Sequence, residues 1–154
     1  MTKINPINYR EKIIILWGVF LLGTLFHTQL ALMPLFHGID VAIMGHHHQE
    51  TATMAEIAPI LWGMLAFFLF PMLAIIITAF YEFKRYRLFH FGLTLFYTVL
   101  NFLHVVMDLF VTPIAWYQIM LMVLLLFVGI LLNIVSYQWI RFNSYSRKFA
   151  STSK

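Results

Sequence analysis

The chain has 154 residues, of which 62% are hydrophobic and only 10% are charged, and its net charge is +4 at neutral pH. A soluble globular domain needs more polar surface than this composition supplies, so the composition excludes one and predicts an integral membrane protein. The chain contains no cysteine, which excludes disulfides and thiolate metal sites.

Four apolar runs are each long enough to cross a bilayer core of about 30 Å, which takes about 20 helical residues. They cover, approximately, residues 13–34, 57–80, 88–112 and 114–140. The first run follows basic residues, as a secretory signal does, but it is too long for one and no small-x-small cleavage site follows it, so we expect a retained helix. We predict a single all-α membrane domain over residues 1–154, with four transmembrane helices in an antiparallel bundle, an outer loop at 35–56 and a tail at 141–154.

Basic residues set the predicted topology. All ten Lys and Arg residues lie in the N-terminal tail, between the second and third runs, or in the C-terminal tail. Because basic residues of short loops stay on the cytoplasmic side, both termini are predicted to be cytoplasmic. The positive charge therefore reflects topology, and no nucleic-acid partner is expected. The expected partners are the lipid bilayer and other membrane subunits, in a bacterial-type inner membrane or a thylakoid-like one.

Acids and histidines concentrate on the opposite, outer side of the predicted topology. Six of the seven histidines lie in or near the outer half of the membrane or in the outer loop. Nitrogen and oxygen donors without sulfur suit Zn, Fe, Mn or Cu ions, which the sequence does not rank. The candidate metal ligands on this side are His27, His46, His47, His48, Glu50, Glu56, His104 and Asp108.

A polar stripe interrupts the third run at alternating steps of four and three residues. Its members are His90, Thr94, Tyr97, Asn101, His104 and Asp108. At 100° per residue they share one helix face, and since a polar side chain facing lipid costs several kcal/mol, that face is predicted to point into the bundle. The middle three members are interpreted as interhelical hydrogen-bonding residues. Asn133 and Ser136 of the fourth run are predicted to pair with His90 or Thr94.

His104 and Asp108 differ from the rest of the stripe, because an ionisable pair inside a membrane is by default a functional site. Both could ligate one metal ion, as pairs one helical turn apart do. Alternatively, Asp108 could orient His104 while the ring holds a metal or haem iron, or the stripe could carry protons. Counting residues places His27 at the depth of His104, so the two can meet. We therefore predict a metal site built on these three residues, with the loop histidines, Glu50 and Glu56 as further donors.

Two alternatives compete with a metal site. His90 and His104 are fourteen residues apart, which resembles the spacing of the two haem-ligating histidines on one helix of b-type cytochromes. That family needs two further histidines on a partner helix, and the inner halves of the other runs contain none. A single haem between His27 and His104 is still compatible with the sequence. The second alternative is a cofactor-free accessory or assembly subunit of a larger membrane complex. No catalytic residue is assigned.

Overall fold

The described residues form four helices. The computed structural model describes residues 8–37, 54–81, 83–110 and 114–152, with the backbone alone for residues 35 and 142–152. The helices are α1 (Tyr9–Phe36), α2 (Met54–Phe80), α3 (Lys84–Asp108) and α4 (Trp116–Thr152). Each contains a stretch long and apolar enough to cross a membrane. The predicted all-α fold is confirmed, and the chain is a multi-pass integral membrane protein surrounded by lipid.

Most helix ends differ from the predicted spans, and the largest difference is at the end of α4. Helix α3 ends at Asp108 rather than near 112, and α4 continues to Thr152 through most of the predicted tail. The apolar part of α4 ends at Arg141, close to the predicted boundary. Hydropathy locates the part of a helix that crosses the membrane, whereas the backbone hydrogen bonds of a helix continue into polar residues.

Neighbouring helices run antiparallel, which the contacts at one end of the bundle show. Arg10, at the start of α1, donates from Nε to the carbonyl oxygen of Thr78 at 2.8 Å and from its guanidinium to that of Ala79. Both residues belong to the last two turns of α2, where the final carbonyls of a helix lack internal partners and a cation is favourable. Helix α1 therefore begins where α2 ends. This end also holds His90 and is called the His90 end; the opposite end is called the His104 end.

The centre of the bundle is an aromatic cluster that joins α1 to α3. The closest helix pairs are α3 with α4, α1 with α4, and α1 with α2. Helices α1 and α3 meet through long side chains: the Trp17 ring lies edge-on to Phe20, His90 and Tyr97, with centroid separations of 5.7, 6.1 and 5.4 Å. All four side chains are buried. Between membrane helices, close packing of this kind supplies much of the association energy.

Helix α2 is packed unevenly along its length. Its buried residues are Pro71, Ala74 and Thr78, all in the half toward the His90 end. Pro71 has no backbone N–H and therefore leaves the carbonyl of Phe67, four residues earlier, without its usual helical donor. The hydroxyl of Tyr97 on α3 donates to that carbonyl at 2.7 Å. The proline thus creates the acceptor that links α2 to the polar stripe of α3.

Replacing Gly23 with alanine is expected to lower the free energy of unfolding by about 1–3 kcal/mol, because a new methyl group is forced into a packed contact. A Cβ on Gly23 would overlap the side chain of Leu125, which is itself buried between helices. The matched control is Gly18→Ala, where a Cβ would meet nothing within 4 Å, and little loss of stability is expected. Unfolding in mixed micelles measures both, and equal stabilities would contradict the prediction.

Candidate metal centre

The buried face of α3 follows the predicted stripe through its first four members. His90, Thr94, Tyr97 and Asn101 are all at most 5% exposed. Beyond them the buried face continues to Val105, whereas the side chain of His104 is 50% exposed. The stripe repeats every 3.5 residues on average, whereas the helix completes a turn every 3.6 residues, so the stripe shifts around the helix by about 20° in every seven residues. At His104, fourteen residues after His90, the shift has reached about 40°. The prediction that the stripe points inward is right up to Asn101, whereas His104 is only half buried although its Nε2 contacts His27 of α1.

His90 is held on both sides by hydrogen bonds. The indole nitrogen Nε1 of Trp17 donates to His90 Nε2 at 2.9 Å, and Ser136 Oγ lies 3.2 Å from His90 Nδ1. Because an indole N–H only donates, Nε2 is an acceptor, and a neutral ring then carries its proton on Nδ1 and donates it to Ser136. The predicted pairing of Ser136 with His90 is confirmed. With both nitrogens engaged, His90 is a structural residue of the core.

The hydrogen bonds of the middle of the stripe differ in part from those predicted. Tyr97 makes the interhelical bond to α2 described above, as predicted. Thr94 donates instead to the Phe91 carbonyl of its own helix at 2.8 Å. Asn133 donates to Thr98 at 3.0 Å rather than to His90 or Thr94. Asn101 Oδ1 is buried with no hydrogen-bond partner among the described residues.

Arg87 extends the stripe by one step toward the His90 end, and sequence reasoning missed it. It is 6% exposed, its guanidinium lies 4.7 Å from the centroid of the Trp139 ring, and Nη1 donates to the Trp139 carbonyl at 3.4 Å. In the predicted topology, Arg87 is one of the cytoplasmic charges between the second and third apolar runs. Its position three residues before His90 continues the alternating spacing, and that signal would have found it.

Three predicted ligands converge at the His104 end of the bundle. His27 comes from α1, and His104 and Asp108 come from one turn of α3. The Nε2 atoms of the two histidines lie 3.3 Å apart, and the same His104 nitrogen lies 3.5 Å from Asp108 Oδ1. One donor atom from each residue lies within 4.8 Å of the other two. The predicted meeting of His27 and His104 is confirmed.

The two separations from His104 Nε2, to His27 and to Asp108, match the spacing of neighbouring ligands around one ion. In a tetrahedral site with metal–ligand bonds of about 2.0–2.1 Å, neighbouring ligand atoms lie about 3.3 Å apart. A single N–H on His104 would point at only one acceptor in good geometry, yet Nε2 faces both His27 and Asp108. Within the described part of the chain, Asp108 Oδ2 and His27 Nδ1 are also buried without hydrogen-bond partners. A cation among the three donors would compensate the buried carboxylate.

Of the five remaining predicted ligands, the structure describes only Glu56, which is not part of this group. Glu56 lies in the first turn of α2, is exposed, and is not among the three converging residues. The other four, His46, His47, His48 and Glu50, lie outside the described residues. Of the histidines in the described ranges, His37 is exposed, and its Nδ1 lies 3.0 Å from the Met33 carbonyl one turn earlier.

Comparison with known proteins does not extend these observations: no family model, no curated protein and no solved structure matches the chain. The fold and the site define a class, namely a four-helix membrane protein with a group of three candidate metal ligands at one end. Its function is therefore argued from its own residues.

Proposed function

We propose that this protein binds a transition-metal ion through His27, His104 and Asp108, and that it serves in metal handling or as a component of a redox system in the membrane. The observation that carries the proposal is the convergence of two imidazole nitrogens and one carboxylate oxygen, with separations of 3.3 and 3.5 Å. This donor set suits Zn(II), Fe(II), Mn(II) or Cu(II).

The site is placed so that an ion can enter and leave it. Three protein ligands leave at least one coordination position for water, a transferred ligand or a further donor. Half of the His104 side chain is exposed, whereas His27 is 8% exposed. The ion would therefore approach from the side of His104. The loop histidines and Glu50 are proposed as further donors, because their segment joins α1 to α2 at this end of the bundle.

A single haem fits the same residues less well. A haem iron needs its two axial nitrogens on opposite sides of a flat ring, on the order of 4 Å apart if each bond is about 2 Å. The Nε2 atoms of His27 and His104 lie closer together, at 3.3 Å. Both rings would have to move apart to admit haem, whereas their separation of 3.3 Å already suits two neighbouring ligands of a bare ion. We therefore prefer an ion.

A cofactor-free accessory subunit is the alternative from another class. An accessory role predicts that His27 and His104 contact different neighbours, but the two rings contact each other edge to face, with centroids 5.3 Å apart. The apolar side chains exposed on α1 and α4 suit lipid as well as a partner subunit. Neither feature favours this alternative over metal binding.

Metal content of the protein purified without a histidine tag tests the proposal. The wild-type chain is expected to carry about one transition-metal ion, and His104→Ala is expected to carry at least tenfold less, because one of three ligands is lost. The matched control is His37→Ala, which also removes one exposed histidine but leaves the three ligands intact. Elemental analysis and an absorption spectrum are recorded on the same samples.

Each possible result has a distinct meaning. Metal lost in His104→Ala and retained in His37→Ala supports the site. A haem absorption band that disappears only in His104→Ala would replace the ion by haem. Equal metal in all three proteins would contradict ligation by His104. Wild-type protein with neither metal nor a haem band would overturn both cofactor hypotheses and leave the accessory-subunit function.

A further inference from the structure

A groove of about 780 Å³ lies on the surface of the bundle at the His90 end. Its lining comes mostly from α4, with Phe91 from α3 and Tyr9 from α1. The rings of Phe91 and Tyr137 contact each other, with centroids 6.0 Å apart, and form an apolar wall. The lining residues Ile134 and Tyr137 are 47% and 49% exposed, so the groove is open to the surrounding lipid.

The groove changes from basic to apolar along its length. Arg141 lies at the end of the apolar part of α4, where the hydrocarbon of a bilayer gives way to the head groups, and Gln138 lies one turn before it. Ile134 lies two turns, or about 10 Å, deeper than Arg141. Beside it, the amide of Asn133 already donates to Thr98 at 3.0 Å. The groove therefore has the polarity of a phospholipid, with polar groups at one end and an apolar remainder.

Arg141 is positioned to bind an anion at the polar end of the groove. Its Cζ atom lies 5.7 Å from the centroid of the Tyr137 ring, which holds the guanidinium beside the groove, and the side chain is exposed. Arg10 and Arg87 differ, because they donate to backbone carbonyls of α2 and α4. Within the described part of the chain, Arg141 makes no such bond. Its planar set of N–H groups can therefore bind two oxygens of a phosphate.

The charge distribution of the chain favours an anionic occupant. All ten Lys and Arg residues lie in the segments at this end, against two of the six acids, Glu11 and Glu82. Each basic residue near a membrane surface favours anionic lipid by roughly fivefold. A zwitterionic phospholipid also carries an ammonium group, which finds no acidic partner among the described lining residues and is repelled by the same basic residues.

We propose that the groove binds an anionic phospholipid from the leaflet at the His90 end. Arg141 binds the phosphate, and the amide of Gln138 donates a further hydrogen bond to the head group. One acyl chain lies along Phe91 and Ile134. Because the groove and the proposed metal ligands lie at opposite ends of the bundle, this proposal does not rest on the metal function.

A matched pair of lipids tests the proposal: dioleoyl phosphatidylglycerol and dioleoyl phosphatidylcholine have the same chains and differ in head-group charge. Each is titrated into the full chain in detergent after lipid depletion, and native mass spectrometry measures the affinity of the first lipid bound. The wild-type protein is expected to bind phosphatidylglycerol about fivefold or more tightly than phosphatidylcholine. In Arg141→Gln this preference is expected to fall below about twofold, because the phosphate loses its charged partner.

Two further variants separate a built site from general charge attraction. Arg85→Gln removes one exposed basic residue of α3 at the same end, outside the groove, and is expected to keep the wild-type preference. Ile134→Trp places a large ring in the groove from an exposed position, where folding tolerates it, and is expected to weaken the binding of both lipids. Equal wild-type affinities for the two lipids would overturn the proposal. Equal loss of preference in Arg85→Gln and Arg141→Gln, or unchanged binding in Ile134→Trp, would overturn it as well.

Discussion

Replacing His90 with alanine is expected to lower the free energy of unfolding by about 3–5 kcal/mol. The substitution leaves the indole N–H of Trp17 and the hydroxyl of Ser136 without the partners they have at 2.9 and 3.2 Å. Each unsatisfied buried group costs about 1–3 kcal/mol. The missing ring also leaves a void beside Tyr86 and Trp139, whose ring centroids lie 5.8 and 6.0 Å from that of His90.

The measurement is the unfolding free energy of the metal-free protein in mixed micelles, with His104→Ala as the matched control. That control also removes one imidazole from α3, but from a half-exposed position, and a change within about 1 kcal/mol is expected. If His90→Ala were no less stable than His104→Ala, the structural role of His90 would be wrong. Retention of metal by His90→Ala, in contrast to His104→Ala, would show that the two histidines have separate roles.

Replacing Asp108 with asparagine is expected to weaken metal binding by more than about 100-fold, because even residues that only orient a ligand contribute about 10–100-fold. The amide keeps the shape of the side chain but removes its negative charge. The other two proposed ligands, His27 and His104, are neutral imidazoles and do not replace that charge. The carboxylate is 18% exposed, so little water can replace it. Divalent ions also bind carboxylate oxygens more strongly than amide oxygens.

Competition with a chelator measures this affinity, and stability provides a second readout. Metal at about 100 times its dissociation constant is expected to stabilise the wild-type protein by about 2.7 kcal/mol and to have little effect on Asp108→Asn. The control is Glu11→Gln, which removes one negative charge from the exposed first turn of α1. An unchanged affinity in Asp108→Asn would remove Asp108 from the ligand set.

The features that the sequence predicts correctly are those that follow from counting along a helix. The rise of 1.5 Å per residue places His27 and His104 at one depth, and the structure brings their nitrogens within 3.3 Å. The alternating spacing predicts the buried face of α3 from His90 to Asn101 in the same way. Both inferences depend on the geometry of single helices, which is nearly constant among proteins.

What the sequence does not predict depends on how neighbouring helices rotate about their axes. Trp17 lies in a continuous apolar run, so no periodicity marks its N–H as the partner of His90. Asn133 bonds to Thr98 rather than to His90 or Thr94 because of the way α4 is turned toward α3. A cavity of about 520 Å³, lined in part by Asn101, lies where α2 and α3 are separated, and no pattern in either helix encodes that separation.

Biogenesis of the protein is expected to proceed in an order set by the packing of α2. Membrane helices insert individually and associate afterwards, and helices α1, α3 and α4 share the aromatic core and the hydrogen bonds of His90. Helix α2 adds only three buried residues, near one end, so it is expected to join a preformed unit of three helices as the last step. Since His27, His104 and Asp108 all belong to that unit, the three proposed ligands would come together before α2 joins.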